Sequence, residues 1–376
     1  MTTTLRICLV GPLPAPAGGM ANQTAQLRGL LEAEGHRVDL VRTNAPYWPG
    51  WLRRVPHVRA AARLLPYLWQ LWRAAGRAQV MHVMANSGWS WHLFAAPAIW
   101  IGHLRRCPVV VNYRGGEAGG FLQQSLRRVA PTLRRARVLM VPSGFLATVF
   151  ARHGFEYVIV PNVVDLERFG VVTSAPQQPQ RQPARAPAVL VARHLEPIYD
   201  IGTALRAFAL LRATHPLATM LVAGSGPEHA RLLQLAERLG ITAGVRFCGL
   251  LDHAAMAQCY HAADIVLNPS LADNMPNSML EALASGVPVV STNVGGVPYL
   301  VEDGRHALLV PPGDPAAMAC AMRRVLEEHG LAEHMHMAGL QLAHQYAWNQ
   351  VYPRLLAAYR LALAPPPAPI ATRRRA

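Results

Sequence analysis

In "ADNMPNSMLEA", Asp273 and Glu281 stand eight residues apart, with Asn274, Pro276, Asn277 and Ser278 between them. Two carboxylates around so polar a turn admit two readings. In one, Asp273 caps a helix and Glu281 is a solvated helix residue. In the other, the stretch holds a ligand. Pro276 suits the first helical turn, where its missing N–H costs nothing, and Gly286 is a natural stop after Ser285. A helix begun there exposes the N–H groups of Asn277, Ser278 and Met279. Those donors and the helix dipole suit a diphosphate. Glu281 lies about one turn further in, too deep for a cap. A carboxylate at that depth can accept both hydroxyls of a ribose.

Such residues need a scaffold, and the chain supplies one twice. "LRICLVG", "RVDLVRT", "AQVMHVM", "CPVVVNY", "ARVLMVPSG" and "YVIVPNVV" are continuous apolar runs separated by helical patterns. Runs of this kind suit strands buried on both faces, joined by crossover helices. After a Pro/Gln-rich linker at 172–188 the pattern restarts with "VLVAR", "ATMLVAGSG", "VRFCG", "ADIVLNPS", "GVPVVST" and "HALLVPPG". The expected fold class is α/β, with two Rossmann-like doubly wound domains facing a cleft and ligands at the carboxyl ends of the strands. The expected domains are 1–171 and 189–345. An amphipathic helix at 346–364, anchored by Trp348, Tyr352 and Tyr359, is expected to cross back to the first domain. The tail 365–376 reads as disordered.

At 376 residues, 52% hydrophobic and 15% charged, the chain is long enough for two packed cores. The five cysteines are scattered without a CxxC pair, which suits free thiols in a reducing compartment. The start "MTTTLRICLVGPLPAP" reads as a first core strand and not as a signal peptide, so a soluble cytoplasmic protein is expected. Residues 1–186 carry 22 Arg against 7 acids, and residues 187–376 carry 14 of each. The net charge of +15 therefore sits in the first half. Lysine is absent, so every fixed cationic role falls to Arg, with its planar bidentate geometry.

"DNMPNSMLEALASGVPVVSTNVGG" resembles the E-x7-E region of the family 4 retaining glycosyltransferases (glycosyl transferases group 1), which have the two-lobed GT-B fold. "GPLPAPAGGMANQT" resembles their N-terminal glycine loop, "VPNVVDLERF" their P-N-G-V-D-x-x-x-F segment, "LVAGSGPE" their G-x-G-P turn, and "VRFCGLL" the strand whose following backbone reads the nucleobase. The resemblance covers nearly the whole chain. It implies that Glu281 binds the donor ribose and that Asp273, one methylene shorter than the usual Glu, lies near the transferred sugar. Asn274 and Asn277 would meet sugar hydroxyls and phosphates, together with the Ser278 and Met279 amides. Gly224, Gly226, Gly249 and Leu250 complete the donor set. Gly18 and Gly19 would approach the phosphate or acceptor.

Two further departures from the family pattern mark the reactive end. In "ARHLEPIYDIG" Arg193 fits the family's diphosphate-binding Arg, while Tyr199 falls near its Lys position. In "NYRGGE" Arg114 replaces a frequent His, and Gly115 and Gly116 would allow close backbone approach. Arg114 cannot serve as a base. Same-face transfer, with the leaving phosphate taking the acceptor proton, needs none. The resemblance implies no cofactor beyond the nucleotide-diphosphate sugar, and the chain has no D-x-D motif to suggest a metal. His334 and His336 lack metal-ligand spacing and read as surface residues. His82, in a strand, reads as a core histidine.

The basic half suggests the acceptor surface. "WLRRVPHVRAAARLLPYLWQLWRAAGR" carries six Arg and no acid among its aromatics. Arg53, Arg54, Arg59, Arg63, Trp69 and Trp72 suit an anionic membrane surface, although the Trp and Leu residues also suit a core. The expected function is a metal-independent hexosyltransferase acting on a lipid-linked glycan or glycolipid in bacterial polysaccharide assembly. Its expected location is peripheral, on the inner face of the cytoplasmic membrane. The alternatives are an inactive nucleotide-sugar-binding partner subunit and a GT-B sugar-nucleotide epimerase. Nucleic-acid binding is disfavoured, because the second half is neutral and no RNA-binding motif is present.

Overall fold

A computed structural model of the chain describes residues 4–14, 18–46, 59–170 and 186–365, without the side chains of 59–62. Most of the linker and the tail, and Arg53 and Arg54 with them, lie outside the described residues. Packing divides the chain into two units. One comprises Met1–Met140, Phe150–Val158 and Pro353–Ala376, and the other Val141–Val149 and Ile159–Tyr352.

All twelve apolar runs are strands. The first sheet contains β1 (Arg6–Gly11), β2 (Arg37–Arg42), β3 (Val80–Ala85), β4 (Val109–Tyr113), β5 (Val138–Val141) and β6 (Val158–Ile159), in the order β2-β1-β3-β4-β5-β6. The second contains β7 (Ala188–Ala192), β8 (Thr219–Ala223), β9 (Val245–Gly249), β10 (Ile265–Asn268), β11 (Val289–Thr292) and β12 (Ala307–Val310), in the order β12-β11-β10-β7-β8-β9. Neighbouring strands pair in parallel from β2 to β5 in the first sheet and throughout the second. The strand order reverses between β1 and β3 in one sheet and between β7 and β10 in the other. A doubly wound sheet opens a crevice at such a point, outside the carboxyl ends of the strands.

Alternation along β7 shows how the second sheet is covered. Val189 and Val191 face one apolar cluster with Leu205, Phe208 and Met322, whereas Leu190 faces another with Tyr260, Met279 and Leu283. Period-two alternation thus sends neighbouring residues into opposite layers, and both layers are helical. On the second face the Asn277–Ala284 helix buries Met279, Leu280 and Leu283. Each contributes roughly 1.5–3 kcal/mol relative to exposure. That anchoring fixes the depth of Glu281 on the same helix. Gly286 closes the helix at φ +68°, the left-handed conformation expected of the stop.

The C-terminal helix spans Trp348–Leu363. In the first unit its Tyr359 is fully buried and meets His82 through a 2.7 Å hydrogen bond. Asn112 lies 3.0 Å from the other ring nitrogen, and burial lowers the His82 pKa to about 3. His82 is a neutral, satisfied core histidine.

Candidate active site

The crevice position of the second sheet is occupied by Arg193, one residue beyond β7, and by the loop that leaves β10. The Arg193 N–H donates to the Ala223 carbonyl at 3.1 Å. A Cβ on Gly224 (φ +156°) would collide with the Arg193 carbonyl, and one on Gly226 with the Leu195 carbonyl. The glycines of "AGSG" therefore let the turn after β8 lie directly on the backbone that carries Arg193. Gly249, also at positive φ, accepts the Gly224 N–H at 2.8 Å, and Leu250 beside it is exposed.

The Arg193 guanidinium is held on several sides. Its Nε and Nη2 donate to Asn268 Oδ1 at 3.0 and 2.8 Å, Nη2 also pairs with the Asp273 carboxylate, and the cation lies 5.0 Å from the Tyr199 ring centroid. Tyr199, at the position where a second cation is usual, instead offers Arg193 an aromatic face. Asn268 is itself buried; it donates to Ser291 Oγ at 3.0 Å and accepts from Ser270 Oγ at 2.7 Å. This polar network behind the cation is fully covered, so it fixes the guanidinium plane.

Asp273 is shaped by its own loop. Its Oδ1 accepts the Asn274 N–H at 2.9 Å, and its carbonyl accepts the Gly296 N–H at 3.0 Å. A Cβ on Gly295 (φ +52°) would strike the Asp273 carbonyl, and one on Gly296 the Asn274 carbonyl. The "NVGG" turn thus braces the Asp273 loop by backbone contact that only glycine permits. Asn274, 5% exposed, accepts a hydrogen bond from the Ser143 hydroxyl. Asn162, from "VPNVV", donates to the Met275 carbonyl at 2.9 Å and to Asn277 Oδ1 at 2.7 Å.

The helix start differs from expectation in two ways. Pro276 precedes the helix: with ψ 120° it stays extended, and Asn277 is the first helical residue. The Met279 N–H donates to the Pro276 carbonyl at 3.2 Å, so it is not the open donor expected of the first turn. Glu281 lies one turn in, and its Oε2 accepts from the fully buried Tyr260 hydroxyl at 2.9 Å. Burial raises the Glu281 pKa, while the Tyr260 hydrogen bond and the Arg193 charge act the other way. Glu281 is therefore no solvated helix residue. His336, expected at the surface, bonds the Gly286 carbonyl at 2.7 Å and so covers the end of this same helix.

In the first unit, Gly18 is the extended N-cap of the Gly19–Ala33 helix. Among the described residues nothing lies within 4 Å of a Cβ built on Gly18 or Gly19. Arg114 follows β4; its Nη1 donates to Gln23 Oε1 on that helix at 2.5 Å, and burial lowers its pKa to about 10. It stays a cation at neutral pH. A Cβ on Gly115 would run into the Asn86 and Ser87 side chains. Among the acceptor-surface residues, Arg63 donates to the Ala45 carbonyl at 3.4 Å, and the Arg59 side chain lies outside the described set. Trp69 and Trp72 are 58% and 45% exposed, so they are not core, and Arg73 and Arg105 lie over their rings. Among the described residues no helix is long and apolar enough to cross a membrane.

Sequence reasoning missed Asn268, Tyr260, Ser270 and Asn162. The one local signal was a polar residue, Asn268, ending an otherwise apolar strand.

Each sheet has a family counterpart. Residues 17–168 match Glycosyltransferase Family 4, and residues 186–328 match Glycosyl transferases group 1. The chain belongs to this family of glycosyltransferases. It is similar to glycogen synthase of Mycobacterium tuberculosis, 28% identical over 272 residues, which are 69% of this chain and 64% of that protein. It is also similar to a D-inositol 3-phosphate glycosyltransferase of Nocardioides, 34% identical over 197 residues, 48% of this chain and 43% of that one. The matches thus span between about two-fifths and two-thirds of those relatives' lengths. Anabaena HepE, solved with UDP, superposes with a TM-score of 0.73 over 95% of this chain and 100% of its own, at 18% identity. Sucrose-phosphate synthase from Thermosynechococcus elongatus gives 0.72 over 94% and 98%, at 22% identity. These likenesses establish the fold as two Rossmann-like domains of the GT-B type.

Proposed function

We propose that the chain is a retaining, metal-independent glycosyltransferase that moves a hexosyl group from a nucleotide-diphosphate sugar to an acceptor. The observation that carries this reading is the cluster at the β7/β10 switch point: Arg193 set on Asn268 and paired with Asp273, beside a Glu281 fixed by Tyr260. Structural neighbours solved with UDP and with UDP-glucose support a nucleotide sugar as the donor class.

The chemistry follows from the charges. Glu281 accepts the ribose hydroxyls, and the Asn277–Ala284 helix turns its N-terminus to the diphosphate. As the C1–oxygen bond breaks, negative charge grows on the departing phosphate, and Arg193 stabilises it. Donor phosphate and Asp273 compete for the same guanidinium, so binding frees the Asp273 carboxylate for the sugar hydroxyls. The acceptor hydroxyl attacks C1 on the face the phosphate leaves, and its proton passes to the leaving phosphate oxygen. Arg114, a half-buried cation, positions phosphate or acceptor.

The acceptor in this reading is a lipid-linked glycan or glycolipid of bacterial polysaccharide assembly, and the protein works from the cytoplasmic face of the membrane. The exposed Trp69 and Trp72, each under an Arg, support that placement. Transfer and hydrolysis assays with UDP-, GDP- and ADP-sugars test it. Turnover of one donor with retention at C1 is the expected result. Nucleotide-sugar binding without turnover on any acceptor would instead favour an inactive partner subunit, and the Arg193–Asp273 pairing, which occupies the phosphate-binding cation, is the observation that favours that second reading.

A further inference from the structure

We propose that a pocket at the amino ends of β4 and β5 binds the phosphate of an anionic membrane lipid. The proposal rests on the membrane placement above and names the group that placement engages. The pocket is an open depression of about 380 Å³, and among the described residues its lining includes His103, Arg106, Arg135 and Arg137 but no Asp or Glu. It is not the substrate crevice. Pro108 and Val109 line it where β4 begins, whereas Arg114 follows the other end of that strand, roughly 15 Å away at the ordinary strand rise.

Three features mark it as built for an anion. Arg106 has φ +56° at the close of the Ala96–Leu104 helix, where the Cys107 N–H returns to the Gly102 carbonyl at 2.9 Å. Glycine is the residue that adopts this conformation without cost, so an arginine is held there against local preference. The Arg135 guanidinium lies over Trp100, 3.8 Å from its centroid; its Nη1 donates to the Pro131 carbonyl, and its buried Nε has no hydrogen-bond partner among the described residues. Arg135 Nη2, which is not among the buried atoms, can donate to a phosphate oxygen. Exposed apolar side chains accompany the cations: Leu363, 38% exposed, lines the pocket, Trp100 at 37% lies under Arg135, and Trp72 at 45% lies under Arg105, the residue before Arg106. A soluble phosphate would leave these side chains bare, whereas lipid chains would cover them. Cationic heads over tryptophans beside a phosphate site are the composition of an interfacial surface.

Flotation of the full chain with phosphatidylglycerol/phosphatidylcholine vesicles, against phosphatidylcholine alone, tests this. Arg106→Gly and Arg135→Gln should each weaken binding to the anionic vesicles about five-fold. Arg106→Gly should leave Tm unchanged or raised, because glycine fits the left-handed position, and both variants should keep donor hydrolysis in vesicle-free solution. If wild type floats and both variants float equally well, the pocket proposal falls while the membrane placement stands. If wild type ignores vesicle charge, both fall. If glycerol phosphate raises the wild-type Tm but not that of Arg106→Gly, and vesicles bind neither, the site takes a soluble phosphate and the lipid assignment is overturned. Arg106-dependent flotation by a chain that turns over no donor would uphold the pocket and remove the transfer reading.

Discussion

At the carboxyl ends of β7 and β10, Arg193, Asp273, Asn268 and Glu281 are all bonded to protein partners, whereas Gly18 and Gly19, at the start of the Gly19–Ala33 helix, have no neighbour among the described residues where side chains would stand. Both regions carry a glycine pair, yet the pairs do opposite things. Gly295 and Gly296 admit neighbouring carbonyls from the Asp273 loop. Among the described residues Gly18 and Gly19 meet no neighbour, which leaves their backbone open to a ligand. In the packed region a ligand has to displace internal partners, so substitutions there should alter stability and chemistry together. In the open region they should alter chemistry alone.

The largest effect is expected at Arg193. Replacing it by Ala should lower turnover roughly 100- to 1,000-fold, the size seen when a donor to a developing oxyanion is removed. Binding of the bare nucleotide should change far less, since Glu281 and the helix N-terminus remain. Steady-state kinetics beside nucleotide titration would decide it. Equal, small losses in both would remove Arg193 from leaving-group stabilisation and erase the contrast between the two regions.

Gly296→Ala comes next. Its Cβ would meet the Asn274 carbonyl, and backbone has no rotamer by which to yield. Moving the Asp273 loop should cost about 3 kcal/mol, at the upper end for overpacking, and misplacing Asp273 should lower turnover on the order of 100-fold. Denaturant unfolding and donor turnover measure the two losses. A variant as stable and active as wild type would show that the brace is not needed.

These two residues also show where the sequence was legible. The twelve strands read directly because each is a short apolar run, and burial on both faces is a local property of composition. Gly286 was readable because its left-handed turn needs glycine wherever it folds. Pro276 was misplaced by one position, since its fixed φ suits both the helix start and the residue before it. The support of the site was not legible. Arg193 meets Asp273 across 80 residues, and Asn162 meets Asn277 across 115. No local pattern encodes a side chain whose partner is chosen by the strand order of the sheet.

Tyr260→Phe should sharpen the same point through pH. Burial holds the Glu281 pKa above the usual carboxylate range, and the Tyr260 hydrogen bond is one of the influences pulling it back. Ribose hydroxyls need the ionised acceptor, so nucleotide affinity is full above the raised pKa and is lost as pH falls through it. Folding carries the opposite sign, because the folded state holds the proton more tightly than the unfolded chain and gains stability as pH falls through that value. Removing the hydroxyl should move the affinity loss to higher pH. A hydrogen bond to a charged group is worth about 1.5–3 kcal/mol, so at the pH where wild-type affinity is half lost the variant should bind about ten-fold more weakly than wild type. An unshifted affinity profile would mean that Tyr260 only packs.

The smallest effect, and the one that tests the open region, is Gly19→Ala. Gly19 is the first residue of its helix, is exposed, and has room for a methyl group. Alanine there should leave stability unchanged or raise it by up to about 1 kcal/mol, the difference in helix propensity. Where the two glycines approach donor phosphate or acceptor, even one methyl group keeps that atom from the backbone, so turnover should fall a few-fold while Tm holds or rises. That divergence has no counterpart at Gly296, where both quantities must fall together. Gly19→Ala with unchanged kcat/KM for both substrates would assign the N-terminal pair to an ordinary helix start, and the open space around it would carry no part of the reaction.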